Sequence, residues 1–405
     1  MAETNDSLPT LYPVAGLRLG TACAGFKQAE HRDLVVMALA EGSRVAAVFT
    51  RNAFRAAPVL VAEQHLRQTS PRFLVVNTGN ANAGTGEAGL RAARETCALL
   101  AAETGCAVEA VLPFSTGVIG EPLPMAPMRR GLPQAVAALD EAGWRDAAWG
   151  ILTTDTVPKG VSRRLEIDGR AVTITGISKG SGMIRPDMAT MLAYLATDAR
   201  VPQPVLAACL SRAVEHSFNR ITVDGDTSTN DACVLIATGQ GEVTVEGTED
   251  PAFEALCTAV SEVCESLARA IVRDGEGATK LIDIQVEGGR DQAECLQVAY
   301  AIAHSPLVKT AFFASDPNWG RILAVVGRAG LQGLDIAAVE LWLDEVCIVR
   351  DGGRAADYSE AAGQAVMSRN AISVRVVLGR GVACERVWTC DLSYDYVRIN
   401  AEYRT

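Results

Sequence analysis

Uninterrupted apolar runs and short polar turns divide the first part of the chain into predicted strands. The runs at 34–40 and 45–49 contain no alternating polar residues, which is typical of strands buried on both faces. Glu41-Gly42-Ser43 separates the two runs and predicts a hairpin between them. Residues 164–176 predict a second hairpin, because Asp168-Gly169 interrupts two strand-like segments.

Apolar residues at helical spacing predict three long helices, over 90–104, 203–218 and 253–271. From residue 282 onwards the pattern changes to strand–helix–strand units. Strands and helices therefore predict a layered α/β protein, with one domain at 1–281 and a smaller C-terminal α/β domain at 282–405.

Composition and charge favour a globular protein and argue against nucleic-acid-binding, secreted and membrane-spanning proteins. Of the 405 residues, 49% are hydrophobic and only 5% are aromatic, so a large core of small side chains can form. The net charge is −11 and the basic residues are not clustered, which argues against a nucleic-acid partner. The start, MAETNDSLPT, lacks the pattern of a signal peptide, and no uncharged apolar run reaches the roughly 18 residues of a membrane span. We therefore expect a cytoplasmic protein without a membrane partner.

Cysteine and histidine spacing gives no sign of a metal site. The eleven cysteines form no CxxC pair, and the four histidines are isolated from one another. We expect most of the cysteines to be buried as small hydrophobic residues in a reducing compartment, and we expect no bound metal.

The stretch KGSGMIRPDMATMLAYLATD, residues 179–198, combines a glycine-rich turn, a proline and an apolar strand. Thr190 lies where this irregular loop enters the strand. One interpretation is that Thr190 merely begins a strand, since β-branched residues favour strands. The other is that its hydroxyl attacks the carbonyl of Ala189 and cleaves the chain. The freed α-amine, with a reference pKa of about 7.7–8.0, then serves as the base for the hydroxyl beside it.

The segment KGSGMIRPDMATML resembles the self-cleavage region of the ornithine acetyltransferase family, the enzymes of the cyclic arginine-biosynthesis route. The resemblance continues through several motifs over nearly the whole chain. It departs at Asp187, where the family more often has Asn. The resemblance implies cleavage between Ala189 and Thr190 into an alpha chain, 1–189, and a beta chain, 190–405.

A Ser-Thr-Gly turn after a short strand, at 115–117, places a hydroxyl beside a backbone N–H. Acyl transfer needs such a donor pair for the developing oxyanion, although the residues alone favour a simple turn. By resemblance, Thr116 and Gly117 match the family's oxyanion hole.

A glycine- and asparagine-rich loop follows the strand at 73–77. It lacks Gly-Lys-Ser/Thr and a clean GxGxxG, so a nucleotide site is disfavoured. The alternative is a tight crossing in which Asn77, Asn80 and Asn82 hydrogen-bond to local backbone, and the resemblance supports it.

Further polar segments are ambiguous from their residues alone. The Thr/Asp cluster at 153–156 suits either a cap or a polar pocket. The loop at 219–231 lacks the final glutamate of a calcium loop. By resemblance it is a structured loop near the active site. The resemblance also implies six substrate contacts elsewhere in the chain: Thr156, Lys179, Thr190, Glu276, Asn400 and Thr405.

The resemblance also implies an αββα sandwich like that of the N-terminal-nucleophile hydrolases, and an α2β2 assembly. The implied reaction is ping-pong: an acetyl group passes from N2-acetyl-L-ornithine to Thr190 and then to L-glutamate. No cofactor is expected to stay bound. We expect acetyl-CoA to be a co-substrate, so that the enzyme is bifunctional.

Three alternatives remain from the sequence. A monofunctional ornithine acetyltransferase would not use acetyl-CoA. A self-processed aminopeptidase or amidase would use water instead of glutamate as the acceptor. A non-catalytic amino-acid-binding protein would remain uncleaved.

Overall fold

The computed structural model describes residues 8–27, 30–185 and 191–402. The chain divides into two units. The first unit contains the described residues up to 219, together with 226–271. The second contains 220–225 and 272–402. The domain boundary after residue 281 stays a prediction.

The first unit is built from two sheets and the helices that pack on them. Its strands are β1 (Leu17–Ala22), β2 (Leu34–Leu39), β3 (Arg44–Phe49), β4 (Phe73–Asn80), β5 (Val111–Val118), β6 (Lys159–Ile167), β7 (Arg170–Lys179), β8 (Leu192–Thr197) and β9 (Ala232–Ala237). Its helices are α1 (Ala57–Gln68), α2 (Gly86–Thr104), α3 (Met125–Ala137), α4 (Trp144–Gly150), α5 (Gln203–Glu215) and α6 (Pro251–Arg273), which ends just inside the second unit.

The two sheets have the strand orders β1-β2-β4-β5 and β3-β9-β8-β7-β6. Apolar side chains from both sheets form one core between them, in which Phe114 of β5 meets Tyr194 of β8 edge-on at 5.4 Å between ring centroids. Helices α2 and α3 cover the outer face of the first sheet. Val263 and Leu267 of α6 pack on Gly176 of the second sheet. This arrangement is an αββα sandwich, and the α/β prediction is confirmed.

The hairpin predicted between the apolar runs 34–40 and 45–49, which form β2 and β3, is wrong. β2 pairs with β1 and β4, whereas β3 pairs with β9 in the other sheet. Glu41 and Gly42 therefore join two layers, not two neighbouring strands. The turn residues predicted the change of direction but carry no information about the partner strand. The second predicted hairpin is confirmed, since β6 pairs with β7 across Asp168-Gly169.

The second unit contains one mixed sheet with the order β13-β12-β11-β14-β10-β15. Its strands are β10 (Leu281–Gly289), β11 (Glu340–Leu343), β12 (Val346–Arg350), β13 (Gly353–Arg354), β14 (Ala371–Val377) and β15 (Ala383–Cys390). Its helices are α7 (Gln292–Ala303), α8 (Pro306–Phe313), α9 (Trp319–Gly327), α10 (Glu360–Met367) and α11 (Tyr394–Glu402). An apolar core of its own joins the sheet to α7, α8, α9 and α10.

The described residues show neither a membrane-spanning helix nor a cluster of metal ligands. None of their helices is both long and apolar enough to cross a membrane. Within the same ranges, no three His, Cys, Asp or Glu side chains are grouped so that they can hold a metal ion.

Candidate active site

Thr116 and Gly117 lie inside β5, which continues to Val118. The prediction of a turn after a short strand was therefore wrong. Gly117 has a φ of +135°, and a Cβ on it would lie 2.3 Å from the carbonyl carbon of Gly79. The strand pairing shifts register at this point, so the backbones of β4 and β5 approach closely. Only glycine fits both this φ and this contact.

Lys179 ends β7 and faces the space between the sheets. Ile177, two residues earlier on the same face, belongs to the inter-sheet core. The Nζ of Lys179 donates to Oγ1 of Thr116 at 3.1 Å. Because Thr116 accepts this hydrogen bond, its own hydroxyl proton remains available for another acceptor. The structure thus brings together two of the predicted site residues, one from each sheet.

Asp155 anchors the backbone beside Lys179. Its Oδ1 accepts from the N of Gly180 at 2.7 Å and from Nζ of Lys159 at 2.7 Å, and its Oδ2 accepts from the N of Thr153 at 3.0 Å. The side chain is fully buried. Burial alone raises the pKa of Asp155, but the charges of Lys159 and Lys179 and these hydrogen bonds overcome it, so the pKa lies below the usual range.

The predicted contact Thr156 follows this anchor and is exposed. The residue pattern at 153–156 was compatible with either a helix cap or a polar substrate pocket. The structure gives Asp155 a backbone-anchoring role that the sequence did not single out.

The asparagine-rich loop confirms the prediction of local backbone bonding. Nδ2 of Asn77 donates to the carbonyl of Asn80 at 2.9 Å, and Nδ2 of Asn82 donates to that of Gly89 at 3.0 Å. Oδ1 of Asn80 accepts from the N of Asn82 at 2.8 Å, whereas its Nδ2 lies 3.2 Å from the distant carbonyls of Glu121 and Pro122. These amides hold the crossing between β4 and α2 in place.

Asn230 connects the two sheets at the same end of the sandwich. It lies two residues before β9, is 6% exposed, and donates through Nδ2 to the carbonyls of Ala81 at 2.6 Å and Ser115 at 2.9 Å. The carbonyl of Ser115 belongs to the peptide whose N–H is that of Thr116. Asn230 therefore fixes the orientation of the candidate oxyanion-hole backbone. Sequence reasoning placed the loop at 219–231 near the site but did not identify this residue.

Asn230→Ala is expected to lower kcat for acetyl transfer more than it changes KM. The substitution leaves two buried carbonyls without their donor, at about 1–3 kcal/mol each, and loosens a backbone that is needed chiefly in the transition state. Steady-state kinetics measure both constants. Asn230→Asp, which cannot donate, should behave alike, and Asn370→Ala at an exposed turn is the control. A purely KM effect would contradict this role.

Asp231 has an unusual environment beside Asn230. It is 4% exposed, and its Oδ2 has no hydrogen-bond partner within the described part of the chain. Burial raises the pKa of Asp231 well above its usual range, against the opposing effects of Ser228 and Lys179. Asp155 and Asp231 are thus two buried carboxyl groups whose pKa values move in opposite directions.

Glu276 and Asn400 meet within the second unit. Nδ2 of Asn400, on α11, donates to Oε2 of Glu276 at 2.8 Å. Glu276 is 8% exposed. Oγ of Ser393 donates to the carbonyl of Gly277 at 2.6 Å and accepts from the N of Asp395 at 3.2 Å, which ties α11 to the turn that carries Glu276. The structure therefore pairs these two predicted substrate contacts.

Three predicted site residues lie outside the described residues: Ala189, Thr190 and Thr405. The first described residue after the predicted cleavage point is Met191, whose carbonyl accepts from the N of Ala232 at 2.9 Å. The assigned roles of all the site residues remain predictions.

A sequence model of the ArgJ family matches residues 18–405. The chain belongs to the ArgJ family. It is 57% identical to the "Arginine biosynthesis bifunctional protein ArgJ" of Pseudomonas fluorescens (strain Pf0-1) over 406 aligned positions, covering 100% of both chains. The protein of the same name from Pseudomonas syringae pv. tomato gives the same identity and coverage.

A solved relative from Bacillus halodurans, the "Arginine biosynthesis bifunctional protein argJ", is 39% identical to this chain. The match covers 51% of this chain and 96% of the solved chain, with a TM-score of 0.48. Family membership thus rests on the sequence comparisons, which extend over nearly the whole length.

Proposed function

We propose that this chain is a bifunctional acetyltransferase of arginine biosynthesis. It transfers the acetyl group of N2-acetyl-L-ornithine to L-glutamate, and it also acetylates glutamate with acetyl-CoA. The observation that carries this assignment is the full-length identity of 57% to the bifunctional ArgJ protein of Pseudomonas fluorescens. The hydrogen bond between Lys179 and Thr116 supports it, because it places a hydroxyl and a cation together.

In this proposal the enzyme first activates itself. The hydroxyl of Thr190 attacks the carbonyl carbon of Ala189, and the peptide bond between these residues becomes an ester. Water then hydrolyses the ester, which leaves a carboxylate on Ala189 and a free α-amine on Thr190. That amine is the base for the neighbouring hydroxyl in later turnovers.

Acetyl transfer then takes two steps. Oγ1 of Thr190 attacks the acetyl carbonyl of N-acetylornithine, its proton passes through the α-amine to the leaving nitrogen, and ornithine departs. The amine of glutamate attacks the acetyl ester in turn and regenerates Thr190. The hydroxyl of Thr116 and the N–H of Gly117 stabilise the oxyanion in both steps. Acetyl-CoA enters the first step as an alternative acetyl donor, with its thiol as the leaving group.

The remaining predicted residues bind the amino-acid substrates. Lys179 suits a carboxylate or developing negative charge, and Glu276 suits an amine. Thr156, Asn400 and Thr405 complete these contacts in the proposal. The cleaved chains remain associated as α2β2 in the cytoplasm, with no resident cofactor.

Wild-type protein tests the proposal directly. Intact mass and N-terminal sequencing should give two chains, the second beginning Thr-Met-Leu-Ala. Incubation with N-acetylornithine without glutamate, followed by acid quenching, should yield an acetylated peptide that begins at Thr190. Added glutamate should then give N-acetylglutamate.

Each alternative has its own outcome in these assays. Free acetate as the product, regardless of glutamate, would favour an amidase. No product from acetyl-CoA would restrict the enzyme to ornithine acetyltransfer. A single uncleaved chain would overturn the mechanism, because the proposed base would not exist.

A further inference from the structure

The turn at residues 24–27 is built around one buried carboxylate. Asp33 is 0% exposed and accepts four backbone hydrogen bonds. The donors are the N–H groups of Ala24 at 2.6 Å, Gly25 at 3.0 Å, Phe26 at 2.7 Å and Lys27 at 3.0 Å. Successive N–H groups that converge on one anion form a rigid nest. Lys27 therefore leaves this turn from a fixed backbone position.

The side chain of Lys27 extends over the backbone contact that shapes the candidate oxyanion hole. Its Cγ lies 3.1 Å from the point where a Cβ would be on Gly79. Gly79 in turn pairs with Gly117. The Nζ of Lys27 donates to the carbonyl of Leu152. Leu152 lies three residues before Asp155, whose carboxylate holds the N–H of Gly180 next to Lys179.

The charges around Lys27 identify its neighbours. Burial, and then the charge of Lys179, lower the pKa of Lys27 to about 8, while Asp155 and Asp33 oppose this shift. A lysine that responds to Lys179 lies within electrostatic range of the Lys179–Thr116 pair. In the described part of the chain, the charged groups that act most strongly on the pKa of Lys27 are Lys179, Asp155 and Asp33.

Lysine is used sparingly in this protein. The sequence contains only five lysines, and none of them is exposed. The exposed cationic side chains are arginines. A compact ammonium group on a flexible stem differs from guanidinium in that burial readily shifts its pKa. A lysine at residue 27 therefore supplies a cation whose pKa depends on its surroundings, which an arginine would not do.

We propose that Lys27 is an electrostatic positioning residue of the acyl-transfer site. Its ammonium group, held on the Leu152 carbonyl, adds positive potential at Thr116 and Gly117, where negative charge develops on the acyl oxygen. Its stem also packs on Gly79 and supports the backbone of Gly117. This role rests on the proposed acetyl transfer. With Lys179 already near Thr116, Lys27 is the second cation at the site.

Lys27→Met tests the charge separately from the packing, because methionine keeps an apolar stem over Gly79. At pH 7 we expect kcat for acetyl transfer to fall about tenfold, with a change in KM of less than about threefold. The ammonium group is present below a pKa of about 8 and is lost above it. The ratio of wild-type to Lys27→Met kcat should therefore shrink as the pH rises from 7 to 9.5. The α-amine of Thr190 titrates in both proteins, so the full pH profile of kcat is fitted for each protein with its own α-amine pKa.

Lys27→Arg keeps a positive charge over the whole pH range. It should lose less kcat than Lys27→Met, and its activity relative to wild type should rise above pH 8. Arg170→Met, which removes a cation from an exposed strand end, is the control for net charge. Circular dichroism establishes that each variant is folded.

Two kinetic outcomes would overturn the proposal. One is a ratio of wild-type to Lys27→Met kcat that is the same at pH 7 and pH 9.5, which would indicate a structural role alone. The other is an equal loss in folded Lys27→Arg and Lys27→Met. If wild-type protein itself transfers no acetyl group, the proposed function fails instead, and Lys27 is not responsible.

A titration that does not depend on activity completes the test. Lysine labelled with ¹³C at Cε, supplied during expression, reports on the five lysines whether or not they are buried, and the NMR signal missing from Lys27→Arg identifies Lys27. We expect that signal to titrate near pH 8 and to move upward in Lys179→Met, because Lys179 lowers the pKa of Lys27. Titration together with ordinary lysines, near pH 10, would overturn the assigned environment.

Discussion

Gly117→Ala is expected to reduce acetyl transfer by about 10²–10³-fold, the loss typical of removing one oxyanion-hole donor. It should also slow or stop self-cleavage, since the attack of Thr190 on the carbonyl of Ala189 develops an oxyanion that the same donor pair can stabilise.

The cause is a backbone collision. A Cβ on Gly117 would lie 2.3 Å from the carbonyl carbon of Gly79 and 2.5 Å from the N of Asn80. Both neighbours are main-chain atoms of β4, so neither can rotate away. The φ of +135° is also a conformation that alanine rarely adopts. β5 must therefore shift at Gly117, and its N–H turns away from the oxyanion position.

Gly120→Ala separates the collision from the conformational strain. Gly120 has a φ of +84°, but a Cβ there would meet no atom within 4 Å. Gly120→Ala should cost some stability and keep its kcat, whereas Gly117→Ala should lose kcat even at temperatures where it is folded. The measurements are acetyl-transfer kinetics, the fraction of cleaved chain on a gel, and thermal unfolding. Full activity in folded Gly117→Ala would refute the oxyanion assignment.

The sequence predicted elements better than it predicted their partners. β2, β3, β4 and the long helices follow directly from apolar runs and periodicity. The false hairpin arose because a strand buried on both faces presents the same pattern whichever sheet it joins. Ser115, Thr116 and Gly117 of β5 resembled a turn because the local register shift, which requires Gly117, depends on the distant Gly79.

In the candidate site, too, contacts between distant parts of the chain could not be predicted from the sequence. Thr116, Gly117 and Lys179 were found through their resemblance to a family, and the structure places them at one end of the sandwich. Asn230 and Lys27 were missed because they act through hydrogen bonds to backbone carbonyls. Every residue has a backbone carbonyl, so the sequence does not show which carbonyl accepts a hydrogen bond from a given side chain. These interactions become visible only in the folded chain.

Asp155→Asn is expected to destabilise the protein by about 3–5 kcal/mol, the usual result of breaking a buried ion pair. Lys159 has a side chain that is 1% exposed and would lose its counter-charge. Asparagine has nearly the same size as aspartate but presents an amide donor on one side. It therefore cannot accept at once from Nζ of Lys159, the N of Gly180 and the N of Thr153.

The effect should depend on pH in a definite direction. The pKa of Asp155 in the folded protein lies below the value of about 3.9 for an unperturbed aspartate. A depressed pKa contributes stability that is fully present above the unfolded value and is lost as the pH falls through the folded one. The gap between wild type and Asp155→Asn should thus be largest near pH 7 and should narrow below about pH 4.

Urea unfolding at a series of pH values measures this gap. Glu254→Gln is the matched control, because its partner Arg212 and Glu254 itself are about half exposed, at 47% and 59%. That surface pair should contribute less than about 1 kcal/mol at any pH. Lys159→Met combined with Asp155→Asn should recover part of the loss, since no charge of the pair remains buried alone. Equal stability of wild type and Asp155→Asn at pH 7 would show that the carboxylate is not needed to hold Gly180, and with it Lys179, in place.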